Sequence, residues 1–214
     1  MASALSLAAA LLLAGCGALA DPTPDYRYRL TVEVDTPEGV KTGSSVIEVK
    51  TRIAGQYSFP DPGQVITRVQ GEAVTVDLGT RGLLFALLRS DDNVDWANGP
   101  LFAFAPLPPY KKGEKRYIKW FDAMLKLRGQ TFTLPRYFEK PVTFDKPPSG
   151  YPMLVRFKDI NDPKSVERVD PDGMAKTFGE GVKIKRMTVA LTDDPVTVGI
   201  KTKFPWWNNY IDRN

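Results

Sequence analysis

A basic and aromatic segment, "PYKKGEKRYIKWF" at residues 109–121, carries the side chains best suited to recognise a ligand or a surface. They are Tyr110, Lys111, Lys112, Lys115, Arg116, Tyr117, Lys119 and Trp120. Each basic group near an anionic lipid surface contributes about 1 kcal/mol, and amphipathic rings sit at membrane interfaces or stack on sugars. The segment therefore predicts a site for an anionic surface or polymer, a glycan or an envelope protein. The alternative is a helix that docks through Ile118 and Phe121 and leaves its lysines in solvent.

The absence of histidine limits the catalysis that the chain can perform. Ser-His-Asp and Cys-His hydrolysis and His-ligated zinc all need an imidazole nitrogen near neutral pH. Carboxylate, lysine, tyrosine and serine chemistry remain open. Two carboxylates in different environments can hydrolyse a glycosidic bond without histidine. A periplasmic hydrolase of this kind is the alternative to a non-enzymatic binding function.

Aspartates cluster in four short segments of the chain. These are "DDNVD" at 91–95, "DIND" at 159–162, "DPDG" at 170–173 and "TDDP" at 192–195. None has the spacing of a calcium-binding EF-hand loop. Asp and Asn before Pro or Gly commonly form turns and helix caps, so turns are expected here, and no metal or other cofactor.

The net charge is only +4 and no nucleic-acid fingerprint occurs, so nucleic-acid binding is not expected.

Two adjacent tryptophans, Trp206 and Trp207, occur in "KFPWWNNY" at residues 203–210. Tryptophan is favoured in binding hot spots, so the pair can anchor a partner. Large aromatic side chains also close hydrophobic cores. The sequence leaves both alternatives open.

The first fifteen residues, "MASALSLAAALLLAG", form an apolar run without a charged side chain. The run is too short to span a bilayer and is typical of an export signal. It leads into Leu13-Ala14-Gly15-Cys16, which resembles the lipobox of bacterial lipoproteins. We therefore expect a signal peptide at 1–15 and lipid attachment at Cys16. The alternative is an ordinary secretory signal cleaved after residue 20.

Lipid on Cys16 would make residues 16–25 a tether to the membrane. Gly17 follows the cysteine, and this resembles the pattern of lipoproteins sent to the outer membrane of Gram-negative bacteria. The expected location is therefore the periplasmic face of that membrane. Cys16 is the only cysteine, so packing rather than an intramolecular disulfide must stabilise the fold.

Strands are the main elements that must position these side chains. In "YRYRLTVEV" every second residue of 28–34 is apolar, as in a half-buried strand. "DTPEG" is a turn before "GSSVIEVKTR", and "GTRG" joins "EAVTVDL" to "LLFALL", so two antiparallel hairpins are expected. In "VKIKRMTVAL" the alternation slips at Lys185-Arg186, which predicts a β-bulge or a crossing between sheets.

One amphipathic helix is expected in "GEKRYIKWFDAMLKLRG" at residues 113–129, with Gly129 as its stop. Its apolar residues at helical spacing are Ile118, Phe121, Leu125 and either Tyr117 or Met124. A second, short helix is expected after Asp170, which caps it, and before Gly179. Hydrophobic residues make up 43% of the chain, enough for one core. Residues 26–214 should form a single mainly β domain, a sandwich or an incomplete barrel.

Several of these stretches also carry a resemblance to a family. They are "YRYRLTVEVDTPEG", "GSSVIEV", "GEAVTVDLG", "FKDINDPKSVERVDP" and "TDDPVT". Together they resemble an uncharacterised family of exported bacterial proteins, many with lipoprotein-type signal peptides. The resemblance implies export and transfers no catalytic or binding role to individual residues. The sequence thus favours a membrane-anchored lipoprotein that serves as a binding or accessory module of the cell envelope.

Overall fold

The protein, seen in a computed structural model, is a mainly β sandwich. The structure describes residues 23–54, 57, 65–105, 108–109, 116–139 and 147–207. Within these residues nine strands form two antiparallel sheets, and there is no closed barrel. The expected sandwich with one longer and one short helix is confirmed. The expected signal peptide and Cys16 lie outside the described residues.

The larger sheet has five strands in the order β3-β2-β1-β9-β6. They are β1 (Tyr26–Thr36), β2 (Gly39–Ile53), β3 (Val65–Gln70), β6 (Thr131–Thr133) and β9 (Lys183–Leu191). The predicted first hairpin is confirmed, because Thr36 pairs with Gly39 across the turn between β1 and β2. Gly39 has a φ of +111°, which glycine adopts readily and other residues do not.

The smaller sheet has four strands in the order β4-β5-β7-β8. They are β4 (Val74–Asp77), β5 (Leu83–Ala86), β7 (Leu154–Phe157) and β8 (Val166–Val169). The helices are α1 (Arg116–Leu125) and α2 (Met174–Phe178), and 3₁₀ turns include Trp96–Asn98, Pro100–Phe104 and Ile200–Lys203. The predicted second hairpin is confirmed by the antiparallel pairing of β4 with β5. Neither described helix has the length and apolar character needed to cross a bilayer.

One face of β1 forms the centre of the core. Leu30, Val32 and Val34 are completely buried, whereas the residues between them remain half-buried. They belong to one hydrophobic cluster with Val76 and Leu84 of the smaller sheet. Burial of an aliphatic side chain stabilises the fold by about 1.5–3 kcal/mol. The period-two pattern of the sequence therefore identifies the face that joins the two sheets.

The predicted irregularity in β9 is a β-bulge. Glu33 pairs with Arg186 and Val34 pairs with Ile184, so Lys185 is an extra residue in the ladder. The extra residue shifts the alternation of side chains by one position, so the residues that face the core change parity at the bulge. Apolar residues on both sides of the bulge consequently reach the same core.

The two sheets approach each other closely where β2 crosses β4. A Cβ atom on Gly43 would lie only 2.1 Å from the carbonyl oxygen of Thr75. Nearby, the Ser45 hydroxyl donates a 2.7 Å hydrogen bond to the carbonyl oxygen of Glu72. Only a residue without a side chain fits at position 43 in this arrangement.

The outer face of the smaller sheet is covered by the segment at residues 200–207. Phe85 and Val155 on that face form a second buried cluster with Phe204, and Trp206 and Trp207 pack against it. The segment is held in place by Glu72, whose carboxylate accepts hydrogen bonds from the backbone N–H groups of residues 199 and 200, at 2.9 and 2.7 Å. Strand β5 is therefore covered on both faces, and three of its four residues are buried.

The start of α2 differs from the sequence prediction. The Asp170 carboxylate accepts a 2.9 Å hydrogen bond from the N–H of Asp172, and the residue preceding the helix is Gly173, without a side-chain cap. The cap prediction is therefore wrong, because Asp170 forms a local turn before the helix begins. The predicted end is confirmed, since Gly179 follows α2 with a φ of +97°.

Candidate functional site

A cleft of about 890 Å³ lies beside α1. Its walls come from α1, β3, the 3₁₀ turns at 96–104 and the chain at 138 and 148–149. Its aromatic lining residues are Trp96, Phe102, Tyr117, Trp120, Phe121 and Phe138. Its polar lining residues are Thr67, Asp92, Asn93, Asp95, Asn98 and Ser149. A concave, mainly apolar surface with a few polar groups is typical of a ligand site.

Helix α1 contributes Tyr117, Trp120 and Phe121 to the cleft because residues three and four apart share a helix face. Phe121 and Met124 are buried and attach the helix to the sandwich. Ile118, which the docked-helix alternative placed in the interface with Phe121, is only half-buried. Tyr117 and Trp120 are also half-buried, so their rings remain partly accessible.

Ring contacts fix the position of the helix against the 3₁₀ turns. Phe102 lies 4.3 Å from Trp120 and 5.1 Å from Phe121, measured between ring centroids, and its contact with Phe121 is edge-to-face. The Trp120 indole N–H also donates a 3.3 Å hydrogen bond to the carbonyl oxygen of Ala105. Aromatic pairs of this geometry stabilise by about 0.5–1.5 kcal/mol beyond their buried area.

Two tyrosines of β1 hold the 3₁₀ turn that carries Trp96. The Tyr28 hydroxyl donates a 2.9 Å hydrogen bond to the carbonyl oxygen of Ala97, and the Tyr26 hydroxyl donates to that of Asn98. Burial raises the pKa of both tyrosines well above the usual value, because a phenolate would be poorly solvated there. Both hydroxyls therefore remain protonated donors, and the core strand positions the cleft wall.

Trp96 is 5% exposed and belongs to the cleft lining. Its indole N–H has no hydrogen-bond partner among the described residues. Leaving a buried donor unpaired costs about 1–3 kcal/mol.

Asp92 joins two parts of the cleft wall. One carboxylate oxygen accepts a 2.6 Å hydrogen bond from the Ser90 hydroxyl, and the other accepts a 2.9 Å hydrogen bond from the backbone N–H of Ser149. Asp95 is exposed, and its N–H donates a 2.8 Å hydrogen bond to the Asn93 side-chain oxygen. The two carboxylates thus differ, since that of Asp92 is engaged within the protein.

Only part of the basic and aromatic segment can be placed. Tyr117 and Trp120 line the cleft, whereas the Arg116 guanidinium donates a 2.7 Å hydrogen bond to the carbonyl oxygen of Pro108. Lys119 is exposed and is not in the cleft lining. The remaining members, which lie outside the described residues, are Tyr110, Lys111, Lys112 and Lys115. The described cleft lining contains no Lys or Arg that would attract an anion.

Trp206 and Trp207 lie apart from the cleft, on the outer face of the smaller sheet. The Trp206 indole N–H donates a 2.8 Å hydrogen bond to the carbonyl oxygen of Ile160. Both side chains are half-buried, and Trp207 stacks on Phe204 at 5.9 Å between centroids. The structure therefore does not combine the two tryptophans with Tyr117 and Trp120 in one site.

The aspartate clusters form turns where the structure shows their contacts. Asp159 and Asp162 each accept a hydrogen bond from the backbone N–H two residues later, at 2.9 and 2.8 Å. Asp170 does the same, so the turn interpretation is confirmed for these three residues. Across the described part of the chain, no group of three or more His, Cys, Asp or Glu residues has the arrangement of a metal site.

Sequence reasoning missed Trp96, Phe102 and Phe138 as members of the site. The signal for Phe102 and Phe138 was weak, because it consisted only of many prolines and phenylalanines between residues 100 and 152, and Trp96 lies outside that stretch. The cluster at 91–95 was noted for its acidity, but its position beside α1 depends on contacts distant in sequence.

Comparison with models of protein families, with curated protein sequences and with solved structures gave no match for the chain.

Proposed function

We propose that the protein is an exported, membrane-anchored lipoprotein that acts as a non-enzymatic binding or accessory module of the bacterial cell envelope, with the cleft beside α1 as its binding site. The observation that carries the proposal is the convergence of six aromatic side chains on one concave surface. Two of them, Tyr117 and Trp120, belong to the segment that the sequence alone favours for recognition.

The size and exposure of the cleft support binding. Its volume of about 890 Å³ falls in the upper part of the range for small-molecule sites. Tyr117, Trp120 and Phe138 are half-buried, so each ring presents surface to an incoming ligand. A wall built only to close the core would bury these rings against the sandwich, as it does Phe121.

The hydrolase alternative has one observation in its favour, since Asp92 and Asp95 both line the cleft. Against it, both carboxylate oxygens of Asp92 accept hydrogen bonds within the protein, an arrangement suited to positioning Ser149. Turnover assays separate the two functions. A product released by wild type and lost in both Asp92→Asn and Asp95→Asn would establish hydrolysis and overturn the binding proposal.

The anchoring part of the proposal rests on the lipobox-like residues 13–16 and the family resemblance. Each buried CH₂ of an acyl chain contributes about 0.8 kcal/mol, so several chains on Cys16 give stable attachment. Intact mass and membrane fractionation of the protein from its native host, beside Cys16→Ser, test it. We expect loss of residues 1–15 with added acyl mass, and release or failed processing of the variant. A soluble product that begins at Asp21 would overturn the anchor.

Binding is tested by sedimentation of the full chain with purified outer membranes and cell-wall sacculi. We expect Tyr117→Ala and Trp120→Ala to weaken binding at least about tenfold, as hot-spot aromatics do. Trp206→Ala is a matched control, because Trp120 and Trp206 are both half-buried and both donate from the indole to a backbone carbonyl. Loss of binding in Trp206→Ala alone would move the site to the outer face of the smaller sheet.

A further inference from the structure

The cleft lining points to a ligand class, and this inference rests on the function proposed above. We infer that the cleft binds an uncharged oligosaccharide, with its sugar rings against the aromatic walls and its hydroxyl groups toward the polar side chains. The inference combines three properties of the described lining. Its aromatic rings are flat and accessible, its polar side chains can form hydrogen bonds with an uncharged ligand, and it contains no Lys or Arg.

The rings supply an apolar surface that matches a sugar. Tyr117 and Trp120 lie one helical turn apart on α1, and Phe138 lies on another wall of the cleft. Each is half-buried, with ring surface still accessible. The C–H faces of a pyranose are flat and apolar, so they lose less hydration than its hydroxyl groups when they pack on such rings.

The polar groups match the rim of a sugar ring. Asp95 is exposed in the cleft, and none of the hydrogen bonds of the described residues occupies its carboxylate oxygens. Asn98 adds a side-chain amide with both donor and acceptor atoms. A hydroxyl group donates and accepts hydrogen bonds, so one ligand class satisfies both kinds of side chain.

The charge of the lining argues against an anionic ligand. Asp92 and Asp95 are acidic, and no Lys or Arg lies among the described lining residues. Against these described residues an anionic polymer would meet like charge, which is unfavourable. A small cationic ligand fits the cleft less well than a sugar, because the volume of about 890 Å³ exceeds what a compact ammonium ligand needs. The carboxylate of Asp92 is also already bound by Ser90 and Ser149.

Calorimetric titration of the purified full-length protein in detergent tests the inference. The probes are short oligomers of glucose and of N-acetylglucosamine. A carboxylated oligosaccharide of equal length and choline serve as charged probes. We expect an uncharged oligomer to bind, Trp120→Ala to weaken it at least about tenfold, and Trp206→Ala to leave it unchanged.

Asp95→Asn separates the effect of charge from that of shape. It should raise the affinity for the carboxylated probe relative to that for the uncharged oligomer, because it removes the like charge. Tighter binding of the carboxylated oligomer or of choline by wild type would overturn the inference. If no sugar binds while Tyr117→Ala still loses envelope binding, the ligand class is wrong and the binding site stands. If the cleft variants affect neither assay, both proposals fail.

Discussion

The hydroxyl group of Tyr28 donates a 2.9 Å hydrogen bond to the carbonyl oxygen of Ala97, and this bond links the central strand of the larger sheet to the wall of the cleft. Tyr28→Phe removes the donor and leaves a buried carbonyl without its partner. We expect the free energy of unfolding to fall by about 1–3 kcal/mol. Urea denaturation measures this change, and the exposed Tyr137→Phe is the control. Equal stability of the two variants would show that the bond does not support the cleft wall.

The same tyrosines predict a loss of stability at alkaline pH. Burial raises the pKa of Tyr26 and Tyr28, so the folded protein keeps both hydroxyls protonated where the unfolded chain ionises them. Their stabilising effect is therefore complete below the ordinary tyrosine pKa of about 10 and is lost as the pH rises above it. Urea midpoints between about pH 8 and about pH 11 should fall, and less steeply in Tyr28→Phe. Parallel curves for the two proteins would contradict this assignment.

Glu48 predicts the opposite dependence in acid. Hydrogen bonding from Arg27 at 2.8 Å, with the charges of Arg27 and Lys50, lowers the pKa of its carboxyl group. A lowered pKa stabilises the folded protein above the unfolded value of about 4.3, and this contribution disappears as the pH falls. Glu48→Gln should therefore flatten the stability curve between about pH 5 and about pH 3, measured by thermal unfolding. The exposed Glu180→Gln is the control, and an equal flattening there would rule out a specific role for Glu48.

Gly43 tests the close approach of the two sheets. Gly43→Ala places a methyl group 2.1 Å from the carbonyl oxygen of Thr75, so the strands must separate. Overpacking of this kind costs about 1–3 kcal/mol. Thr42→Ala on the same strand is the control, because Thr42 is exposed. A Gly43→Ala protein as stable as the control would mean that β2 and β4 tolerate a wider separation.

Glu72 predicts a local rather than a global change. Glu72→Gln removes the charge and one acceptor from the two hydrogen bonds that hold residues 199 and 200. The segment at residues 200–207 should then open more often, because hydrogen bonds to charged groups contribute about 1.5–3 kcal/mol. Amide hydrogen exchange should accelerate in that segment while β1 stays protected. Uniform acceleration across the chain would show that the segment does not open independently.

The sequence predicts the strands well because one strong periodic signal determines them. Alternation in β1 and the slip at Lys185 are visible in a few consecutive residues, and the structure has the expected hairpin and bulge. The start of α2 was mispredicted because Asp170 suits both a helix cap and a local turn, and in the structure its carboxylate closes a turn that precedes the helix. The composition of the cleft was not predictable, since Trp96 and Tyr117 come together through contacts distant in sequence, such as Tyr28 with Ala97 and Tyr26 with Phe102.

Phe204 covers an apolar face of the smaller sheet but is synthesised after the strands that form it. Synthesis proceeds from the N-terminus, so β5 and β7 emerge before the segment at residues 200–207 that covers their outer face. Until then Phe85 and Phe157 present an apolar surface, which favours association with other incomplete chains. Docking of the segment at residues 200–207 therefore removes an apolar surface that the smaller sheet exposes while the chain is incomplete.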